Sequence, residues 1–218
     1  MSRRERRLFS LPWKGTAMRL AAFASGRGSN FEALLTARDR GNLPEAEFAL
    51  LFSDKADARA LDVARQRGID TLHLSPKDFD TRAAYEEAIL VVLREKQIEA
   101  ICLAGYMRLV GDTLLEAYPR RILNIHPALL PSFPGLHGHR DALEYGVKIS
   151  GCTVHFVDAG VDTGPIVVQR AVEVRDDDTE DILAARILLQ EHEAYPEAVD
   201  LLTQGKLRVE DRRVIRLD

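Results

Sequence analysis

From Met18 to about residue 126 the chain alternates short apolar runs with segments of helical period, and this alternation restricts the fold more than any other feature. Residues 19–24, 47–53, 71–74, 100–104 and 122–125 have strand length. The runs at 100–104 and 122–125 lack the polar alternation of a half-exposed strand, which suits burial on both faces of a parallel sheet. Between the runs, helices are predicted over 29–40, 56–67 and 82–96; in the last, Tyr85, Ile89, Val92 and Leu93 recur on one face. Repeated βαβ units with right-handed crossovers make an α/β fold with an open, mostly parallel, doubly wound sheet. Beyond Pro127 the texture changes to a Pro-rich loop (127–138), a short helix (140–145), and β-rich stretches at 151–157 and 165–174 around a turn at 158–164. A helix over 179–203 and a terminal hairpin within 206–217 complete a more antiparallel C-terminal part.

With 218 residues, one large domain or two small ones are expected. No Gly/Ser linker divides the chain, so a single domain is expected over 18–218. Residues 1–17 hold Arg3, Arg4, Arg6, Arg7 and Lys14 against Glu5 alone, while the whole chain carries a net charge of −4. That head is expected to be a disordered basic extension; it lacks the apolar core of a signal peptide and the sustained period of an amphipathic tether. The acidic remainder is a poor nucleic-acid surface, and no apolar run approaches the roughly 20 residues needed to span a bilayer. Two cysteines, Cys102 and Cys152, are too few for a disulfide scaffold and point to a reducing, cytoplasmic setting.

Two groups of residues carry chemistry. Ser25-Gly26-Arg27-Gly28-Ser29-Asn30 joins the first strand to the first helix, where free N–H groups and the helix dipole favour an anion. Ser29 with Glu32 has the spacing of a capping box. Phe31 occupies the place of the third glycine of a dinucleotide fingerprint, so a phosphate monoester is the better functional reading; a ligand-free tight turn is the alternative. The second group is Asn124, His126 and Asp162. Asn124 and His126 lie two apart at a strand end and face one side; Asp162, in a Gly-containing turn, is placed to support the imidazole. Such a set resembles an oxyanion site with acid–base support and no protein nucleophile, although a lone strand-end histidine is often structural. His126, His137, His139 and His155 are candidate zinc ligands, but no second short-spaced pair accompanies His137 and His139, and no metal is expected. His155 reads as a strand residue in polar surroundings.

Six motifs, in order, resemble the phosphoribosylglycinamide formyltransferase family: Gly-Arg-Gly-Ser-Asn at 26–30, Ala-Gly-Tyr-Met-Arg at 104–108, and Asn-Ile-His-Pro-Ala-Leu-Leu-Pro at 124–131. The others are Pro-Gly-Leu-His-Gly-His-Arg at 134–140, Val-His-Phe-Val at 154–157 and Asp-Thr-Gly-Pro at 162–165. The resemblance implies formyl transfer from 10-formyltetrahydrofolate to the amine of glycinamide ribonucleotide, in purine synthesis. It implies Asn124 and His126 as oxyanion stabilisers, His126 as proton donor, and Asp162 as the group that raises the histidine pKa. It further implies that Gly28, Ser29, Asn30, Phe31, Glu32 and Glu191 bind the ribonucleotide. Arg82, Met107, Arg108, Leu109, Val110, Asn124 and Asp158 would line the folate site. Partners would be these small molecules, with no nucleic acid or membrane, and the chain would be a monomer or weak homodimer. Ala128 stands where relatives commonly carry Ser, and Leu188 replaces a polar residue some relatives use. A formyltetrahydrofolate hydrolase or a tRNA formyltransferase would need a further domain; a non-catalytic phosphate-binding module and a nicotinamide oxidoreductase are weaker alternatives.

Overall fold

The computed structural model describes residues 9–10 and 17–218. The parallel half comprises β2 (Met18–Phe23), β3 (Ala46–Ser53), β4 (Asp70–His73), β5 (Ala100–Leu103) and β6 (Ile122–His126), alternating with α1 (Ser29–Asp39), α2 (Arg59–Gln66), α3 (Arg82–Glu95) and α4 (Asp112–Ala117). Next come α5 (Gly138–Tyr145), β7 (Ile149–Phe156), β8 (Ile166–Glu173), α6 (Glu180–Thr203), β9 (Leu207–Glu210) and β10 (Arg213–Arg216). Together with β1 (Phe9–Ser10) the strands form one sheet in the order β1-β9-β10-β8-β7-β6-β5-β2-β3-β4. Pairing is parallel from β4 through to β6 and antiparallel from β6 to β8, the predicted doubly wound sheet with a more antiparallel end. The chain winds outward from β2 through β3 to β4, then returns to β5 on the other side of β2. Ligands in open α/β sheets bind at such a switch, outside the carboxyl ends of the strands.

Residues of β2 alternate between two cores, one on each face of the sheet. Leu20 and Ala22 pack with Phe31 and Leu34 of α1 and with Leu183, Ile187 and Tyr195 of α6. Ala21 and Phe23 pack with Tyr85, Ile89 and Leu93 of α3. Burial on both faces is why these strands carry no polar alternation. The buried Tyr195 hydroxyl lies 3.0 and 3.1 Å from the carbonyl oxygens of Leu103 and Leu123, which pins α6 beneath the ends of β5 and β6.

Two local expectations are corrected. Gly28, not Ser29, caps α1, and no side chain caps the helix, so the Ser29–Glu32 capping box does not form. The left-handed backbone of Gly28 (φ 81°) starts the helix instead, and a Cβ there would sit 2.7 Å from the Ala60 Cβ. The helix α4 had no counterpart in the pattern analysis; only six residues long, it buries Leu114 alone and leaves no period to detect. The extension expected over 1–17 lies outside the described residues except for Ala17 and for Phe9 and Ser10, whose backbone pairs antiparallel with Val209 and Arg208.

Candidate active site

Helix α1 begins at the end of β2, next to the switch. Its first intrahelical bond runs from the Glu32 N–H to the Gly28 carbonyl at 2.8 Å. The N–H groups of Ser29, Asn30 and Phe31 precede that bond and face the helix start, where partial positive charge accumulates. The Phe31 side chain is buried edge-on against Phe48, so only its backbone is available to a ligand. The Glu32 N–H is already taken, and its carboxylate lies 3.7 Å from Arg59. Asn30 and Glu191 are both buried and share a 2.8 Å hydrogen bond from Asn30 Nδ2 to Glu191 Oε2. Burial pushes the Glu191 carboxyl above its ordinary value, against the pull of that bond. The Asn30 Oδ1 is buried and has no hydrogen-bond partner among the described residues.

On the other side of Asn124 lies a cavity of about 670 Å³, large enough for a drug-sized molecule. Arg82, Met107, Arg108, Leu109, Val110, Asn124 and Asp158 all line it, as do His155, Leu136 and Asp162. Met107 and Leu109 are 61% and 63% exposed, an apolar rim facing solvent. The two halves of the site touch: the Ser25 N–H donates to the Gly105 carbonyl (3.0 Å), and the Met107 N–H donates to Ser25 Oγ (2.9 Å).

Asp162 is the hub between them. Its Oδ2 lies 3.3 Å from His126 Nδ1 and accepts the Gly135 N–H at 2.8 Å; its Oδ1 lies 3.4 Å from Asn124 Nδ2 and 3.5 Å from His155 Nε2. Its backbone is left-handed (φ 52°), a conformation Asp tolerates better than most residues. Burial opposes ionisation of Asp162, but contact with His155, the Gly135 N–H and the charge of His126 hold its carboxyl below the ordinary value. His126 is buried under the loop at 133–135, with Nε2 donating to the Phe133 carbonyl at 2.8 Å. Burial lowers its pKa; Asp162 pulls the other way without prevailing. The carboxylate acts in the expected direction, raising the histidine pKa, and desolvation by burial outweighs it.

His155, read from the pattern as an ordinary strand residue, sits directly opposite Asn124 in the β6–β7 register. Its Nδ1 donates to the Phe156 carbonyl (2.9 Å), leaving Nε2 to accept from Asn124 Nδ2 at 3.1 Å. The β6–β7 pairing is what brings it there, and only the Val-His-Phe-Val motif hinted at it. His137 and His139 stand at the start of α5, outside this cluster. Among the described residues, no group of three or more His, Cys, Asp or Glu side chains is arranged to hold a metal. Cys102 and Cys152 are buried and their thiols are pushed up to about 12, which leaves no thiolate nucleophile near neutrality.

Comparison with known proteins identifies the family. Residues 18–199 match the Formyl transferase family. A phosphoribosylglycinamide formyltransferase of Bacillus subtilis is 47% identical over 184 residues, 84% of this chain and 94% of that protein. The human trifunctional purine biosynthetic protein adenosine-3 is 40% identical over 191 residues, 88% of this chain but only 19% of that much longer protein. Among solved structures, glycinamide ribonucleotide transformylase 1 from Symbiobacterium toebii superposes with a TM-score of 0.91 at 48% identity, covering 96% of this chain and 99% of the other. By the matched span and these identities, the chain belongs to the formyl transferase family.

Proposed function

We propose that this chain transfers the formyl group of 10-formyltetrahydrofolate to the amine of 5-phosphoribosylglycinamide, in purine biosynthesis. The observation that carries the reading is the convergence of Asn124, His126 and Asp162 between two dissimilar clefts. The N–H groups of Ser29, Asn30 and Phe31 suit the phosphate, while the Asn30–Glu191 pair offers acceptors to ribose hydroxyls. The cavity beside Asn124 suits the pterin: an apolar rim at Met107–Val110, the polar groups of Asn124, His155 and Asp162, and Arg82 and Arg108 in its lining.

The reaction needs one bond made, one broken and one proton moved. The substrate amine attacks the formyl carbon, giving a tetrahedral intermediate whose oxyanion requires donors. One Nδ2 hydrogen of Asn124 is held by His155; the other points toward Asp162 at 3.4 Å, a long contact that an oxyanion displaces. Burial keeps His126 neutral at the start, so it can take the proton the amine loses. Asp162 then stabilises the imidazolium, which returns the proton to the folate nitrogen as the carbon–nitrogen bond breaks. His126 thus ends as the proton donor. No protein nucleophile takes part.

The test is an assay of formyl transfer with both substrates, beside a control in which water is the only acceptor. Turnover with the ribonucleotide far above the water control supports the reading; equal turnover makes the chain a hydrolase and overturns it.

A further inference from the structure

Glu86 is a buried charge beside the larger cavity that the chemistry above does not use. It is 4% exposed, on the face of α3 that also buries Tyr85, Ile89, Leu90 and Leu93. A hydrocarbon side chain at such a place is generally at least as stabilising as a buried ion pair, so packing alone explains the carboxylate poorly. Its contacts explain it better. Glu86 Oε1 accepts the Gly111 N–H at 2.6 Å and the Arg82 Nε–H at 3.2 Å, and the same guanidinium donates through Nη2 to the Leu109 carbonyl. One carboxylate oxygen thus closes a ring through Arg82, Leu109 and Gly111. Gly111 has moved in so far that a Cβ on it would lie 2.7 Å from Arg82 Nε and from both carboxylate oxygens.

The segment this ring fastens is the apolar rim. Its side chains at Met107 and Leu109 are mostly exposed, so their own burial cannot hold the rim in place. Backbone bonds hold it instead. Ser25 Oγ, itself donating to Asp54 at 2.6 Å, takes the Met107 N–H at one end, and the Glu86 ring secures the other. We propose that Glu86 is a positioning residue for the cosubstrate: it sets the Met107–Val110 rim at the height the pterin requires and aims Arg82 across the cavity mouth. The proposal rests on the reading of this cavity as the folate site. A residue acting this way governs cosubstrate affinity and leaves the transfer step nearly untouched.

The experiment compares the wild-type chain with Glu86→Ala and Glu86→Gln in steady-state kinetics, with amide hydrogen exchange on the same proteins. Glu86→Ala should raise KM for 10-formyltetrahydrofolate roughly tenfold, with kcat and the KM for the ribonucleotide within about twofold. Exchange at Leu109–Gly111 should speed up while β2 stays protected. Glu86→Gln keeps an oxygen for the Gly111 N–H and should recover most of the loss, which also serves if the alanine variant fails to fold. A fall in kcat without a change in the cosubstrate KM, a matching rise in both KM values, or a glutamine variant as impaired as alanine would each overturn the proposal. Should the wild type transfer no formyl group, the functional reading fails by itself; exchange at Gly111 still reports on the ring.

Discussion

The two clefts that meet at Asn124 are built in opposite ways. The nucleotide-facing one is centred on a strand-to-helix turn, where consecutive N–H groups at 29–31 face the phosphate and only Glu191 of α6 joins from a distance. The larger cavity is assembled from α3, the 105–113 segment, the facing ends of β6 and β7, and the turn at 158–162. An anion needs only local backbone geometry, whereas a flat, mostly apolar ring needs walls from distant segments. The first cleft is therefore anchored by the core that α1 and α6 share, and the second depends on polar fasteners such as Asp162 and Glu86 to keep loops in register.

The most severe test of this division is His126→Ala, because His126 is held by Asp162 and the Phe133 carbonyl on the cavity side. General acid–base groups contribute about 10²–10⁴-fold, and kcat should fall within that range. Affinity for each substrate, measured by calorimetry, should stay within about threefold. Loss of binding on the cavity side would show that the imidazole serves as a strut for the Phe133 loop, and the division would fail.

A second test removes a ligand group rather than a side chain. Charge-assisted hydrogen bonds to backbone N–H groups are worth about 1.5–3 kcal/mol, so dephosphorylated glycinamide riboside should bind roughly 10- to 100-fold more weakly than the ribonucleotide. Binding of a folate analogue should be unaffected. Equal binding of the two nucleosidic forms in a calorimeter would remove the phosphate role of the glycine turn.

This contrast also accounts for what the sequence disclosed. The parallel strands were legible to within one or two residues, and in the central ones double-sided burial writes itself as unbroken apolar runs at 48–52 and 100–104. The glycine turn was legible for the same reason of locality. His155 was not, because its role arises only when β7 pairs antiparallel with β6 and sets it against Asn124, 31 positions away. Glu86 was hidden differently: it shares the inward stripe of α3 with Ile89, Leu90 and Leu93, but its partner, the Gly111 N–H, comes from a segment 25 positions away. The pKa of His126 illustrates a third kind of limit. Its charged neighbour can be guessed from spacing, but the depth of burial that outweighs that neighbour belongs to the loop at 133–135.

Asp162→Asn sharpens the electrostatic side of the comparison. In the wild type, burial pulls the His126 pKa down while the Asp162 charge pushes it up. Removing the charge leaves burial opposed by the Phe133 hydrogen bond alone, so the imidazole should titrate still lower in an NMR pH series. With less imidazolium stabilised during transfer, kcat should drop by roughly tenfold or more. An unchanged or raised histidine pKa would show that the carboxylate is not the group that supports the ring.

The smallest effect distinguishes the clefts by stability. Glu191 sits 6% exposed with Asn30 as its hydrogen-bond partner, and its raised pKa means the folded chain favours the protonated acid. Its contribution to stability is therefore present below the unfolded carboxyl pKa and is lost as pH rises through the folded one. As pH rises through the raised folded pKa, the wild type must ionise a carboxyl in a buried site, beside an Asn30 Oδ1 that no donor among the described residues reaches. Glu191→Gln removes the charge, keeps an oxygen for Asn30 Nδ2, and brings an N–H₂ that can satisfy Asn30 Oδ1. The variant should be more stable at pH 8 by about 1 kcal/mol, or ~2–4 °C in Tm for a chain of this size. The gain should shrink toward pH 4.5, where the wild-type acid carries its own proton. Nucleotide affinity should fall at the same time, since the acceptor charge is gone. Melting curves of both proteins at the two pH values decide the matter: a difference that does not depend on pH would mean Glu191 is not buried against its own charge, and a gain in Tm with unchanged nucleotide binding would place it outside the site. The expected result would make the nucleotide cleft a place where stability is given up for recognition.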